Sequence, residues 1–147
     1  MPDSASERIR VEAPAARCFD VAVDFESYPE WARDVREAKV LERDAQGRGT
    51  RVEYRAAALG KSIRYVLDYD YRDAPSSFSW RLVEGDMLKR LDGTYRFEPE
   101  GPSTTRVHYD LTVELAVPLP GLVKRRAAGL IMGSALKELK RRVEAVA

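Results

Sequence analysis

Apolar and polar residues alternate with a period of two from about Val35 to Val117, and from about Gly121 to the end the period changes to about 3.6. The first pattern predicts strands over Val35 to Arg43, Thr50 to Leu59, Ser62 to Asp73, Ser77 to Glu84, Lys89 to Glu98 and Thr104 to Val117. Turns rich in Gly, Pro, Asp and Ser separate them, as in Asp44 to Gly49, Gly60-Lys61, Ala74 to Ser76, Gly85-Asp86 and Pro99 to Ser103. Ahead of this run, Ile9 and Val11 alternate in a first strand, Arg8 to Ala13, which Pro14 ends. Two short helices follow, Ala15 to Asp24 and Phe25 to Trp31, with Ser27 as a candidate cap of the second. Pro118 and Pro120 stop the sheet, and a helix from Gly121 to Val146 would be roughly 39 Å long. Residues 1–6 read as a short disordered lead, and the rest as one domain. The fold class is α+β: a curved seven-stranded antiparallel sheet wrapped on a long C-terminal helix.

Alternation also assigns faces. One face of the sheet collects Val52, Tyr54, Ala56, Tyr65, Leu67, Tyr69, Phe78, Trp80, Leu82, Leu91, Gly93, Tyr95, Tyr109, Leu111 and Val113. The other carries Arg51, Glu53, Arg64, Asp68, Arg106, His108 and Asp110. An antiparallel sheet covered on one side has this make-up. On the last helix Ala128, Ile131, Met132, Ala135, Leu136, Leu139, Val143 and Val146 form one stripe that suits the apolar face. Five tyrosines and a tryptophan (Tyr54, Tyr65, Tyr69, Tyr95, Tyr109 and Trp80) fall on that face, with Tyr71 near a strand end. Buried phenols need hydrogen-bond partners, so a cluster of them suits either a filled core or an apolar pocket with polar points. Candidate lining residues are Trp31, Tyr54, Ala56, Tyr65, Leu67, Tyr69, Trp80, Leu82, Leu91, Tyr95, Tyr109, Leu111, Val113, Met132 and Leu136, with Arg125 placed to reach a polar group at the mouth or to snorkel to solvent.

Composition narrows the function. The 147 residues carry a net charge of +1, which argues against a general DNA binder. Positive charge gathers locally: Lys124, Arg125, Arg126, Lys137, Lys140, Arg141 and Arg142 face only Glu138 and Glu144 in the last segment. That face suits solvent, or contact with anionic lipid or RNA. The apolar loop Val117 to Val123 beside Lys124-Arg125-Arg126 suits either burial or a transient membrane-surface contact. Cys18 is the single cysteine, so no internal disulfide forms, and its apolar surroundings suit a structural thiol. His108 is the single histidine and shares a face with Arg106 and Asp110, which predicts a solvated ring, so neither a zinc site nor a serine triad is indicated. Glu84 and Asp92 are the carboxylates nearest a pocket on this reading. No catalytic, metal or cofactor residue is assigned. With no apolar run long enough to span a bilayer and no signal-peptide core, the expected location is the cytoplasm.

Two segments carry a resemblance that covers the chain from about Ile9 to Val143. Phe19 to Trp31 ends in Tyr28-Pro29-Glu30-Trp31, similar to a helix pair closed by a Tyr-Pro-x-aromatic unit. Leu82 to Phe97 has Glu84-Gly85, a turn, and then Tyr95-Arg96-Phe97. Together with the element order they resemble the START-like helix-grip superfamily (the START/Bet v 1-like fold), which includes polyketide cyclases, lipid-transfer domains and Coq10-like coenzyme Q-binding proteins. The resemblance implies a cavity between sheet and long helix. It implies a carrier of a hydrophobic small molecule such as a lipid, isoprenoid quinone or polyketide. A polyketide aromatase/cyclase and a protein- or ribosome-interacting module are the alternatives.

Overall fold

The computed structural model describes residues 3–58, 61–116, 120 and 135–145. Seven strands form one antiparallel sheet: β1 (Asp3–Val11), β2 (Val35–Arg43), β3 (Gly49–Ala58), β4 (Lys61–Asp70), β5 (Ser77–Gly85), β6 (Leu88–Gly101) and β7 (Thr104–Leu115). Their order is β1-β7-β6-β5-β4-β3-β2, so β2 to β7 form a meander and β1 closes its far end. Helix α1 (Ala15–Ala22) and a 3-10 helix (Phe25–Glu30) carry the chain from one edge of the sheet to the other. Residues 135–145 form a C-terminal helix, α2. The remainder of the long helix expected over Gly121 to Val146 lies outside the described residues.

β1 begins five residues earlier than the alternation suggested. The disordered lead expected over residues 1–6 is replaced, from Asp3 on, by strand: Asp3 to Ser6 pair in register with Val113 to Asp110 of β7. Asp-Ser-Ala-Ser has no apolar alternation, and its order comes from the partner strand. Ser4 Oγ lies 2.9 Å from Thr112 Oγ1, and Ser6 Oγ donates to Asp110 Oδ1 at 2.5 Å. The second short helix is 3-10 rather than α, with Pro29 inside it. Ser27 is not its cap: Asp24 stands there, and the Ser27 amide donates to the Asp24 carbonyl at 3.2 Å.

The core lies between the concave sheet face and these helices. Cys18, Phe19 and Ala22 face inward from α1, and Phe19 meets Phe78 and Phe97 edge-on at 5.9 and 6.1 Å. Cys18 is fully buried beside Thr105, whose hydroxyl donates to the Ala13 carbonyl at 2.7 Å; burial pushes the thiol above its ordinary pKa. Leu136, Leu139 and Val143 of α2 are buried, in agreement with the helical stripe. Polar contacts fix α2 in place. Lys140 Nζ donates to the Arg10 carbonyl at 2.8 Å, and the amides of Glu12 and Arg33 donate to Glu144 and Glu138 at 2.9 and 2.8 Å. Arg142 pairs with Glu30 at 3.0 Å.

The convex face is a lattice of ion pairs. Arg51 holds Asp68 with two bonds of 2.7 and 3.0 Å and reaches Glu42 at 3.3 Å, while Arg64 bridges Glu53 and Glu84. Exposed pairs of this kind contribute little individually, because water and salt screen them. Two backbone positions set the remaining geometry. Gly47 takes a φ of 82° in the β2–β3 hairpin, and Met87 takes a φ of 61° in the β5–β6 turn.

Candidate functional site

Register places the aromatic residues side by side. Tyr54 of β3 lies opposite Tyr65 of β4, Tyr69 of β4 opposite Trp80 of β5, Trp80 opposite Gly93 of β6, and Tyr95 of β6 opposite Tyr109 of β7. Their rings form a continuous sheet of contacts. Tyr54 and Tyr65 stack at 5.2 Å, Tyr69 and Trp80 lie 6.0 Å apart, and Trp80 lies 5.5 and 5.6 Å from Tyr95 and Tyr109, which are 4.7 Å from each other. The absence of a side chain at Gly93 makes room for Trp80. A Cβ there would sit 2.3 Å from the indole and 2.7 Å from the Asp110 carbonyl oxygen.

Two aromatic residues that the strand pattern did not assign to this face join it from the 3-10 helix. Phe25 lies 4.3 Å from Tyr69, and Tyr28 lies 4.9 Å from Trp31 and 6.1 Å from Tyr54. The Tyr-Pro-x-Trp unit was the available signal for Tyr28. Among the expected lining residues Tyr54, Leu67, Trp80, Tyr95, Tyr109, Leu111, Val113 and Leu136 belong to one buried cluster. Trp31, Tyr65, Tyr69, Leu82 and Leu91 pack against it half-buried. Ala56 is buried, but among the described residues it is not part of that cluster. Arg125 and Met132 lie outside the described residues, as does the apolar loop 117–123 apart from Pro120.

Electrostatic influence of one phenol on another links Tyr28, Tyr54, Tyr65, Tyr69, Tyr95 and Tyr109. Burial pushes Tyr28, Tyr54, Tyr69, Tyr95 and Tyr109 well above the ordinary phenol value; neighbouring phenols add to the shift, as does the Glu138 carboxylate at Tyr95, while the hydrogen bond with Tyr54 offsets part of it at Tyr69. Burial pushes Tyr65 up to about 12, with the Asp34 carboxylate adding to the shift. All six are therefore neutral hydroxyls at physiological pH and offer protons for hydrogen bonding. Tyr28 donates to the Ala22 carbonyl, and the Tyr54 and Tyr69 hydroxyls pair at 2.6 Å, leaving one proton of that pair to spare. No described residue pairs with the hydroxyls of Tyr65, Tyr95 or Tyr109. Tyr71 stands apart, its hydroxyl donating to the Gly49 carbonyl at 2.5 Å under the Arg48 guanidinium.

The remaining chemical candidates are committed elsewhere. Glu84 accepts from Arg64 at 3.1 Å, and Asp92 accepts from Arg90 at 2.6 Å. His108 is on the convex face, as its neighbours suggested, but is largely covered and lies 3.2 Å from Glu98. Among the described residues no group of His, Cys, Asp and Glu has the arrangement of a metal site. None of the described helices is long and apolar enough to cross a membrane. Of the basic residues on α2, Lys140 and Arg142 are engaged within the fold, and Lys137 and Arg141 are exposed. A groove of about 750 Å³ opens on the polar side, where Arg51, Asp68, Arg81 and the 44–48 hairpin line it. Its charges largely neutralise one another, whereas the concave face combines apolar surface with phenol hydroxyls, the usual composition of a small-molecule site.

A curved antiparallel sheet backed by a C-terminal helix, with a concave aromatic face, defines a START-like ligand-binding fold. The chain belongs to the polyketide cyclase/dehydrase and lipid transport family, whose model matches residues 2–144. It is similar to a START superfamily protein from Mycobacterium smegmatis, at 27% identity and a TM-score of 0.92 over 98% of this chain and 99% of that one. A protein from Thermus thermophilus is similar at 29% identity and a TM-score of 0.81, again over 98% and 99% of the two chains. The fold is shared with the Zhui aromatase/cyclase from a Streptomyces species, at 14% identity and a TM-score of 0.83 over 98% and 94%. A comparison with curated proteins finds no match.

Proposed function

We propose that this protein binds and carries a hydrophobic small molecule on its concave aromatic face, in the class of lipids, isoprenoid quinones and polyketides. The observation that carries the reading is the cluster of inward phenols on an otherwise apolar face, of which Tyr65, Tyr95 and Tyr109 have no hydroxyl partner among the described residues. Apolar surface holds the body of the ligand at about 25 cal/mol per Å² buried. Membership of a family named for cyclases and lipid transport supports the ligand class. Carriage is favoured over cyclisation because the inward hydroxyls are phenols held firmly protonated. The carboxylates considered for proton transfer, Glu84 and Asp92, are bound to arginines. A general acid–base pair works best with pKa values near the operating pH, and these phenols are far from it.

The test is a titration of the purified protein with a long-chain fatty acid, an isoprenoid quinone and a polycyclic aromatic ketone, read by Trp80 emission in a Trp31→Phe background and by thermal shift. Saturable binding of one class at one site per chain, without turnover, is the expected outcome. Absence of saturable binding across the panel contradicts the reading, and conversion of a bound ketone to a cyclised product replaces carriage with catalysis.

A further inference from the structure

We propose that Tyr95 and Tyr109 form a two-donor subsite for one uncharged ligand oxygen, so that the ligand lies with its carbonyl end against this pair. The inference rests on the binding role proposed above and specifies the ligand's orientation and head group. Both residues are more than nine-tenths buried, at 6% and 7% exposure, on adjacent strands in direct register. Their rings are 4.7 Å apart and tilted by 48°, and the Tyr95 phenol adds to the upward shift that burial imposes on Tyr109. Neither hydroxyl has a hydrogen-bond partner among the described residues, in contrast to Tyr28, Tyr54, Tyr69 and Tyr71, which all do.

The chemistry of the occupant follows from what the pair offers. Two neutral O–H groups donate, and a carbonyl oxygen has two lone pairs to accept them. A carboxylate or phosphate would bring a full charge into a site whose own groups are held neutral by burial, and desolvating such a charge costs several kcal/mol. A hydrocarbon end would leave both donors unpaired. Trp80 fixes the geometry from behind, at 5.5 and 5.6 Å from the two rings, and its own position is set by Gly93. Donors backed by packed rings lose little freedom when they bind, which favours a directional interaction over a smeared apolar one.

The experiment is a double-mutant cycle between protein and probe. Acetylnaphthalene carries the carbonyl; isopropenylnaphthalene, substituted at the same ring position, replaces it with a methylene of similar shape. Affinities of both are measured on the intact chain and on Tyr95→Phe, Tyr109→Phe and the double variant, with melting curves to establish folding. The ketone is expected to weaken by about ten-fold or more in the double variant while the hydrocarbon changes less than about two-fold. The infrared carbonyl stretch of the bound ketone is expected at lower frequency in the parent protein than in the double variant. Equal effects on both probes, or an unshifted stretch in the parent protein, overturn the subsite and leave hydrophobic binding standing. Failure of the parent protein to bind either probe overturns the apolar site and the subsite together.

Discussion

Replacing Gly93 with alanine adds one methyl group at the point where the aromatic face is most tightly built. The new Cβ would lie 2.3 and 2.7 Å from two atoms of the Trp80 indole and 2.7 Å from the Asp110 carbonyl oxygen. The carbonyl belongs to the β7 backbone and cannot retreat without breaking the β6–β7 ladder, so the indole must move. Its neighbours leave little space: Tyr69, Phe78, Tyr95 and Tyr109 all lie within 6.0 Å, ring centre to ring centre. Overpacking of this kind costs about 1–3 kcal/mol. Removing a flexible glycine from a strand returns roughly 0.5–1 kcal/mol. The net expectation is a loss of about 1–2 kcal/mol, or a fall in Tm of roughly 2–8 °C for a domain of this size. Urea unfolding of Gly93→Ala reads the stability, with Trp80 emission in a Trp31→Phe background reporting the displaced ring. Gly101→Ala is the control, because a Cβ there meets nothing within 4 Å. Unchanged stability together with unchanged Trp80 emission in Gly93→Ala would refute the reasoning.

Further expectations concern other links between sequence and fold. Leu139 of α2 is fully buried, and Leu139→Ala should cost about 2–5 kcal/mol in urea unfolding; a loss below about 1 kcal/mol would mean that α2 does not seal the core. Met87 holds a left-handed φ of 61°, so Met87→Gly should be neutral or stabilising by up to about 1 kcal/mol, and a clear destabilisation would show that the Met87 side chain matters more than its backbone. Alkaline titration tests the phenol cluster. Below pH 10 the folded and unfolded chains both keep the Tyr65 proton; between 10 and about 12 the unfolded chain releases it while the folded chain holds it, so stability falls as pH rises. Tyrosinate absorbance from the cluster should therefore appear together with loss of the folded near-UV signal, and tyrosinate formation in a fully folded protein near pH 10 would contradict the buried arrangement.

The sheet was legible because period-two alternation is a local property: the limits expected for β2 and β5 agree with the structure to within a residue. Asp3 to Ser6 were not legible, since nothing in Asp-Ser-Ala-Ser alternates and their strand conformation is imposed by β7. The 3-10 helix was expected as an ordinary short helix because six residues around Pro29 contain too little periodicity to separate the two geometries. The contribution of Phe25 to the aromatic face was hidden for the same reason, whereas the Tyr-Pro-x-Trp unit pointed to Tyr28. Which phenols touch was also beyond sequence reading. The pairing of Tyr95 with Tyr109, and of Trp80 with Gly93, depends on strand register, which the alternation of one strand does not determine. What the alternation did provide was the common face of these residues.

The central claim is that the concave aromatic face holds a ligand. Native mass spectrometry of the protein purified from its own host, followed by organic extraction, tests it most directly. The account predicts a non-covalent adduct at one per chain, released by solvent and identified as an uncharged, oxygen-bearing apolar molecule. A protein that carries no such adduct, and gains no thermal stability from the fatty acid, quinone and ketone panel, would contradict it.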